Sequence, residues 1–299
     1  MSAESYKEII AACFPDLHIG TCTIVSQGWD SVAVAVDDQL IFRFPKRPDV
    51  EPQYRMEALL LPALAQTLSI RVPRFEFIWQ GGGTYDHLFV GYQMIGGAQL
   101  TPALRAELPA AQLAAQLARF LAELHGFPAD LAARLAVPGG DADAWRRCYA
   151  DLYARVRAQV FSLLDSSAWS PIAARWEAFL GDDAHFRFVP GLVHQDLNGE
   201  HILVDPARGA VAGIIDWGDA AVGDPAIDFA GLLDDYGAGF TEWVLARYAG
   251  AVDATFRRRA AFYRQAMPLH TILFGIETGQ PELVEHGLVR VVRSQNSNS

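Results

Sequence analysis

The feature that most constrains this chain is a change of style near residue 98. Before it, the sequence reads as short strands with one helical stretch; after it, the chain turns Ala- and Leu-rich and helical, apart from one β-rich island. Residues 21–25 and 31–36 are β-branched stretches around Gln27-Gly28-Trp29-Asp30, a turn-like break. Asp37-Asp38 then separates residues 31–36 from 39–44, a hairpin signal without the usual glycine. Pro45 and Pro48 end that third strand. Residues 53–68 have helical composition, with Met56, Leu60 and Leu64 at helical spacing, and Pro62 is expected to kink or bound the helix. Residues 75–79 and 88–95 read as two further strands flanking Gly81-Gly82-Gly83. The predicted order is three strands, a helix and two strands.

After Gly96-Gly97, Leu113, Leu117, Phe120, Leu121 and Leu124 form one apolar stripe on Ala110–His125, started by Pro109 and stopped by Gly126. Residues 145–164 and 171–180 are further helix candidates. Residues 186–219 are short, β-rich and dense in His, Asp and Gly, and helical patterns resume over 227–293. The polar tail, 294–299, is expected to fray. These patterns predict an α+β chain of two lobes: a small β-rich lobe over 1–97, with a hinge at its end, and a larger, mostly helical lobe over 98–299. Active sites favour such inter-lobe clefts.

Composition narrows the function classes. A formal charge of −11 argues against nucleic-acid binding, which needs a clustered basic surface. No apolar run is long enough to span a bilayer, and MSAESYKEII lacks the pattern of a secretory leader. A cytoplasmic monomer is expected, with no membrane partner. Cys13, Cys22 and Cys148 are odd in number and widely spaced, as expected of reduced core thiols.

The chemistry concentrates in Val193-His194-Gln195-Asp196-Leu197-Asn198-Gly199-Glu200-His201-Ile202-Leu203-Val204 and in Gly213-Ile214-Ile215-Asp216-Trp217-Gly218-Asp219. A polar loop ends in a strand over 202–204, Asp205-Pro206 begins a turn, and a second strand over 211–215 ends at Asp216. That hairpin carries His201 and Asp216 to one end, within reach of one metal ion, with Asp196 on the loop beside them. One carboxylate to accept a hydroxyl proton, plus two ligands for a divalent cation, is the minimum set for phosphoryl transfer. Taken singly, Asp205, Asp216 and Asp219 read equally well as turn formers, and His194 as a core histidine.

Together these residues resemble the aminoglycoside phosphotransferase family, whose pattern is His-x-Asp followed, after four intervening residues, by Asn. His194, Asp196 and the downstream Asp216 match it, and Ile215-Asp216-Trp217-Gly218 stands where the related protein kinases carry Asp-Phe-Gly. Gly223-Asp224-Pro225-Ala226-Ile227-Asp228-Phe229 is similar to the family's Asp-Pro-x-x-Asp segment, whose second Asp braces the catalytic loop. The departure is His201 at the metal-binding Asn, which is seen in the 2″-aminoglycoside and macrolide kinases. The resemblance implies a bilobal, protein-kinase-like fold, with Asp196 catalytic, His194 supporting the loop, and His201 and Asp216 on Mg²⁺.

The first lobe carries the same resemblance. Gly28 and Ser31 belong to a short loop similar to the nucleotide loop of the 2″-kinases. Arg43 occupies the place on the third strand where a cation meets the phosphates, while Lys46 just past it is the better chemical type; the choice stays open. Glu57 is the expected ion-pair partner. The segment Tyr92-Gln93-Met94-Ile95 looks like the strand running into the hinge, where backbone groups meet the purine. A tyrosine near Tyr92 disfavours ATP in the 2″-kinases, so GTP is the favoured donor and ATP the alternative.

For the acceptor, an aminoglycoside polycation calls for carboxylates, and Asp234, Asp235, Tyr236 and Glu242 are the candidates, with Glu277 and Glu282 behind them. A macrolide kinase is the rival, because Arg47-Pro48-Asp49-Val50 looks macrolide-like and residues 266–275 are more apolar than a polycation site requires. A nucleotide-binding regulator and a metal-dependent hydrolase are readings of other classes; the second leaves the small lobe unexplained.

Overall fold

Apolar side chains on both faces of the early strands demand a cover on each side, and the computed structural model, which describes residues 1–296, contains two. Helix Ala3–Cys13 (α1) precedes strands Cys22–Gln27 (β1), Ser31–Val36 (β2) and Leu40–Pro45 (β3). Helix Glu51–Thr67 (α2) follows, then Phe75–Gly82 (β4) and Tyr85–Gln93 (β5). The strands form one antiparallel sheet in the order β1-β2-β3-β5-β4. Strand alternation sends Phe42 and Phe44 to the α1 side, where Tyr6, Ile10, Cys13 and Phe89 close a small core around them. Arg43 points the other way and meets Glu57 of α2.

Helix α1 is the element missing from the predicted order. Its sequence signal is a Ser2 side chain accepting from the Ser5 N–H, with Tyr6, Ile10 and Cys13 buried on one face. The hairpin at Asp37-Asp38 forms as expected. Both residues take φ +52°, and the Asp37 carboxylate accepts from the Gly20 and Thr21 N–H groups at 3.1 and 2.6 Å. Aspartate tolerates the left-handed region, so glycine is not required. Pro62 does not bound its helix; it lies inside α2. An interior proline costs about 3 kcal/mol. Burial of Leu60, Leu61 and Leu64, at most 1% exposed, contributes about 1.5–3 kcal/mol each, which is enough to keep the helix whole.

The second part of the chain is mostly helical. Strand Ala98–Gln99 (β6) is followed by Pro102–Glu107 (α3), Ala110–His125 (α4), Ala129–Arg134 (α5), Ala142–Arg155 (α6) and Ser166–Gly181 (α7). The single helix expected over 145–164 is α6 plus a π-turn and a 3-10 turn, and α7 begins ahead of Pro171. The island supplies Gly191–Val193 (β7), Ile202–Asp205 (β8), Ala210–Ile214 (β9) and Ala221–Gly223 (β10), paired as β6-β8-β9 and β10-β7. Helices Asp228–Leu245 (α8), Phe256–Thr278 (α9) and Pro281–Asn296 (α10) complete it, with a break in α8 at Gly237, φ +73°. Of the tail expected to fray, α10 includes residues to 296, and 297–299 lie outside the described residues. The architecture is the bilobal α+β arrangement read from the sequence.

Helix α2 sends Met56, Leu60, Leu61 and Leu64 into the large core of the helical part, alongside Leu113, Leu117 and Phe229. Cys13 is buried, but Cys22 is half-buried and Cys148 exposed, so only the first is a core thiol. No described helix is long and apolar enough to cross a membrane.

A buried ion pair locks the entry to α8. Asp224, fully buried, receives Arg259 Nε and the Tyr263 hydroxyl, both at 2.6 Å, and accepts the Ala226 N–H. Removing one partner of such a pair costs about 3–5 kcal/mol because the other charge stays buried. Arg259→Ala should therefore lower the urea midpoint of unfolding by a corresponding amount; an unchanged midpoint would show that the pair contributes nothing.

Candidate active site

The site is built on the loop between β7 and β8. Its first backbone amides point at one carboxylate: fully buried Asp228 accepts the N–H of His194 at 2.9 Å and of Gln195 at 2.8 Å. The same carboxylate meets His125 Nε2 at 3.0 Å, and His125 Nδ1 lies 2.7 Å from the Tyr248 hydroxyl. A carboxylate only accepts, so His125 Nε2 carries a proton. Further along α8, the Asp235 carboxylate accepts the Gly199 N–H at 2.6 Å, and the Tyr236 hydroxyl donates to the Leu100 carbonyl at 2.5 Å. Helix and loop approach so closely that a Cβ on Gly231 would sit 2.2 Å from the Leu197 carbonyl oxygen. A Cβ on Gly199 would meet the Leu100 oxygen at 2.5 Å. One face of α8 thus grips the loop along its length.

On that loop Asp196 is half-open to the cleft, and Asn198 Nδ2 donates to its Oδ1 at 2.8 Å. His201 Nδ1 lies 2.8 Å from the Asp196 carbonyl oxygen, which can only accept. That contact puts the proton on Nδ1 and leaves Nε2 facing Asp216 Oδ2 at 3.5 Å. Burial opposes a charge on His201, but Asp196 and Asp216 outweigh it and raise its pKa. His194 is fully buried; its Nε2 donates to the Ile215 carbonyl at 3.0 Å, its ring meets Trp217 at 4.7 Å, and desolvation lowers its pKa. Gln195 at φ +68° and Asp216 at φ +65° hold left-handed backbone beside this cluster, a strain that packing must sustain.

Arg43 joins the two lobes. Its Nη1 meets Glu57 Oε2 and its Nη2 meets Asp216 Oδ1, both at 2.8 Å. Burial works against the guanidinium charge, and Glu57 and Asp216 outweigh it. Burial also opposes the charge on Asp216, yet Arg43 and His201 hold its pKa below the usual carboxylate range. Asp219 behaves in the opposite way. Its residue is solvent-exposed, yet desolvation by the protein around the carboxyl, with Asp196, Asp216 and Asp30 nearby, pushes it up to about 7, and among the described residues it has no ion-pair partner.

His201 Nε2 and Asp216 Oδ2 are a nitrogen and an oxygen donor on one side of a charged cleft, which fits a shared divalent ion. Among the described residues no three His, Cys, Asp or Glu side chains converge as a closed metal site. Such an open pair suits Mg²⁺, which completes its shell with water and substrate phosphates.

The family profile described as APH, phosphotransferase enzyme family, matches residues 21–263. The chain belongs to this family. A viomycin phosphotransferase of Streptomyces vinaceus is 27% identical over 299 residues, covering 95% of this chain and 97% of that protein. The GDP and kanamycin complex of APH(2″)-IIIa superposes with a TM-score of 0.91 at 29% identity, covering 99% of each chain. A macrolide 2′-phosphotransferase of Brachybacterium faecium shares the fold, with a TM-score of 0.76 at 24% identity over 95% of this chain and 96% of that one. The fold is protein-kinase-like, and the chain is a phosphotransferase.

In this phosphotransferase, Asp196, His194, His201 and Asp216 lie in one cluster, with Arg43 and Glu57 reaching it from the sheet side. Lys46 does not join them: it is exposed beyond the strand end, and its N–H donates to the Asp30 carbonyl. Geometry therefore puts Arg43, rather than Lys46, opposite Glu57. Gly28 lies in the β1–β2 turn, and Ser31 opens β2 beside it. Tyr92 is buried, pairs with Ile41 and lies 5.9 Å from the Phe75 ring. The Met94 N–H already donates to the Gln39 carbonyl at 2.7 Å. Gln93 ends β5, and Ile95 lies just past the strand end.

Each of the four acceptor candidates is engaged within the fold. Asp234 pairs with Arg290, Asp235 holds the catalytic loop, Tyr236 donates to the Leu100 carbonyl just past β6, and Glu242, beyond the break at Gly237, takes Arg257 at 2.7 Å through both oxygens. Glu277 pairs with Arg155. Asp219, read as a turn former, stands near Asp196 without an ion pair among the described residues. Its only sequence signal was its place three residues after Asp216. Asn198 and His125 were also overlooked; the first lies two residues from the Asp196 it contacts, and the second meets Asp228 from a distant part of the chain.

Asp228→Ala would leave two backbone N–H groups without their acceptor, a loss of about 3 kcal/mol, or roughly 100-fold in rate if it falls on the transition state. The expected result is that drop in phosphotransfer with the far-ultraviolet circular dichroism retained. Wild-type turnover in this variant would show that the loop does not depend on Asp228.

Proposed function

We propose that this protein is an antibiotic kinase, transferring the γ-phosphate of GTP or ATP to a hydroxyl of an aminoglycoside and thereby inactivating it. In this reading residues 1–97 bind the nucleotide and 98–299 carry the catalytic loop and the acceptor site, in a cytoplasmic monomer. The observation that carries the acceptor class is the crowding of Asp30, Asp196, Asp216 and Asp219: the raised pKa of Asp219, which has no ion pair among the described residues, reflects in part a negative field that a cationic partner would relieve. The likeness to a kanamycin-bound 2″-phosphotransferase points the same way.

Arg43, fixed by Glu57, binds the donor phosphates, and the Gly28–Ser31 turn covers them. Gln93 and Ile95 offer backbone groups to the purine, with Met94 between them contributing its side chain. Tyr92 narrows the inner end of that pocket, which favours GTP. Asp196, oriented by Asn198, accepts the proton of the attacking hydroxyl while His194 keeps the loop in place. Mg²⁺ held by His201 and Asp216 would neutralise phosphate charge as it develops. Asp234, Asp235, Tyr236 and Glu242 then act at the acceptor side through the loop and helix they hold rather than as unpaired charges. A macrolide acceptor is the second reading, favoured by the aromatic contact between Trp29 and Phe274 at 4.6 Å.

The deciding experiment follows nucleoside diphosphate release with Mg·GTP or Mg·ATP against kanamycin, gentamicin, viomycin and erythromycin. Turnover with the cationic drugs alone supports the proposal; turnover with erythromycin alone selects the macrolide reading. Asp196→Ala should lower turnover about 10³-fold with nucleotide affinity nearly unchanged, and an active variant would remove Asp196 from the mechanism.

The raised pKa of His201 sets a pH dependence. A protonated imidazole cannot bind a metal, so Mg·nucleotide affinity should rise as pH increases through that pKa and fall below it. His201→Asn, which binds through a neutral carbonyl oxygen, should flatten the profile. Titration of Mn·nucleotide binding between pH 6 and 8.5 checks this, and parallel profiles for the two proteins would dissociate His201 from the metal.

A further inference from the structure

The donor side of the cleft contains a hydroxyl that the fold leaves without a partner. Tyr54, near the start of α2, is fully buried, and its Oη has no hydrogen-bond partner among the described residues. Its ring packs with Val50, Leu88 and Val90 against the sheet. The Arg43 guanidinium carbon lies 5.0 Å from the centre of that ring, and the same guanidinium meets Glu57 and Asp216. The phenol therefore stands behind the cation that faces the cleft.

Strand register shows which polar group is in its reach. Ala33 lies opposite Arg43 in the β2–β3 ladder, so the two share one face of the sheet. Side chains two apart on a strand point the same way, which puts Ser31 on that face too. Val32 and Val34 take the other face and pack into the small-lobe core with α1. The Ser31 hydroxyl acts on the ionisation of Tyr54 without completing a hydrogen bond of normal geometry. Burial pushes the phenol up to about 12, against the opposing effects of Arg43 and Ser31, so Tyr54 keeps its proton at neutral pH. Tyr54 is closed off from solvent, whereas Ser31 is half-buried at the start of β2. Of the two hydroxyls, Ser31 is the one a ligand in the cleft can touch.

A buried hydroxyl without a bond is destabilising, and phenylalanine would fill the same space. A serine hydroxyl has one proton and two lone pairs. When that proton turns to a ligand oxygen, the lone pairs become free to accept, and the Tyr54 O–H is the donor beside them. Two such bonds in series polarise and strengthen one another.

We infer that Tyr54 is a positioning residue of the donor site, its hydroxyl donating to Ser31 Oγ while Ser31 donates its own proton to a phosphate oxygen of the bound nucleotide. The inference deepens the proposed donor site and rests on it, since Arg43 and the Gly28–Ser31 turn must take the phosphates.

The test uses the full chain with Tyr54→Phe, Ser31→Ala and the double variant. Without nucleotide, Tyr54→Phe should have a urea midpoint no lower than wild type, because the hydroxyl it removes has no bond to lose. Calorimetric titration with Mg·GTP and Mg·ATP should show about tenfold weaker binding for Tyr54→Phe and at least as large a loss for Ser31→Ala. The double variant should bind no more weakly than Ser31→Ala, because Tyr54 acts only through that hydroxyl. Wild-type affinity in Tyr54→Phe would overturn the inference. Losses that add in the double variant would overturn it as well, making the two hydroxyls independent. A lowered urea midpoint accompanying weaker binding would reduce Tyr54 to a structural group. If the wild type binds neither nucleotide, the donor-site reading falls and takes this inference with it; binding by the wild type and Tyr54→Phe alike removes the inference alone.

Discussion

A buried carboxylate costs several kcal/mol unless its lone pairs meet donors, and Asp228 meets that condition only when the catalytic loop is in place. Its partners are the backbone N–H groups of His194 and Gln195 and the imidazole of His125. The arrangement works in both directions: the carboxylate fixes the loop, and the loop allows the carboxylate to be buried. Everything exposed at the front follows from that anchor. Asp196 can face the cleft because the residues before it are held from behind, and Gln195 can keep a left-handed backbone because its N–H is committed. Gly231, Asp235 and Tyr236 extend the same grip along α8, so helix and loop act as one rigid part.

Arg43 does for the space between lobes what Asp228 does within one. A guanidinium presents donors in a planar fork and can meet two carboxylates at once, whereas an ammonium presents a point charge on a flexible stem. Here one prong faces Glu57 and the other Asp216, so the sheet, α2 and the end of β9 share a single cation. The choice between Arg43 and Lys46 was open in sequence because both lie near the strand end. Strand alternation settles which of them can face α2, since Phe42 and Phe44 must take the opposite side.

What the sequence revealed depended on the distance between interacting residues. The His194-Gln195-Asp196 run, Asp216 and the hairpin between them are close in the chain, so spacing alone brought them to one place. The strands were legible from alternation, whereas the helix boundary offered at Pro62 did not form because large-core burial overrides a local breaker. Helix α1 was passed over because its helix signal is modest, and its necessity appears only when Phe42 and Phe44 are seen to need a cover. Asp234, Asp235, Tyr236 and Glu242 looked like free charges because their partners, Arg290, Gly199, Leu100 and Arg257, lie elsewhere in sequence. For the same reason His125 and the Trp29–Phe274 contact gave no signal: each is a pairing of residues more than 100 positions apart.

The distribution of apolar contacts divides the molecule differently from the chain. Helix α2 belongs by position to the first lobe, yet Met56, Leu60, Leu61 and Leu64 are packed into the core of the second, while the sheet and α1 close a core of their own. Tyr54 of α2 also packs with Leu88 and Val90 of β5, so the seam between the sheet and α2 is bridged by this small cluster and by Arg43. Under heat or denaturant, the sheet with α1 can loosen as a separate cooperative unit while α2 stays docked with the catalytic loop. Arg43 would leave with the sheet, so Glu57 and Asp216 would lose their shared cation at the same step as donor binding fails, and refolding must bring the guanidinium back between two carboxylates.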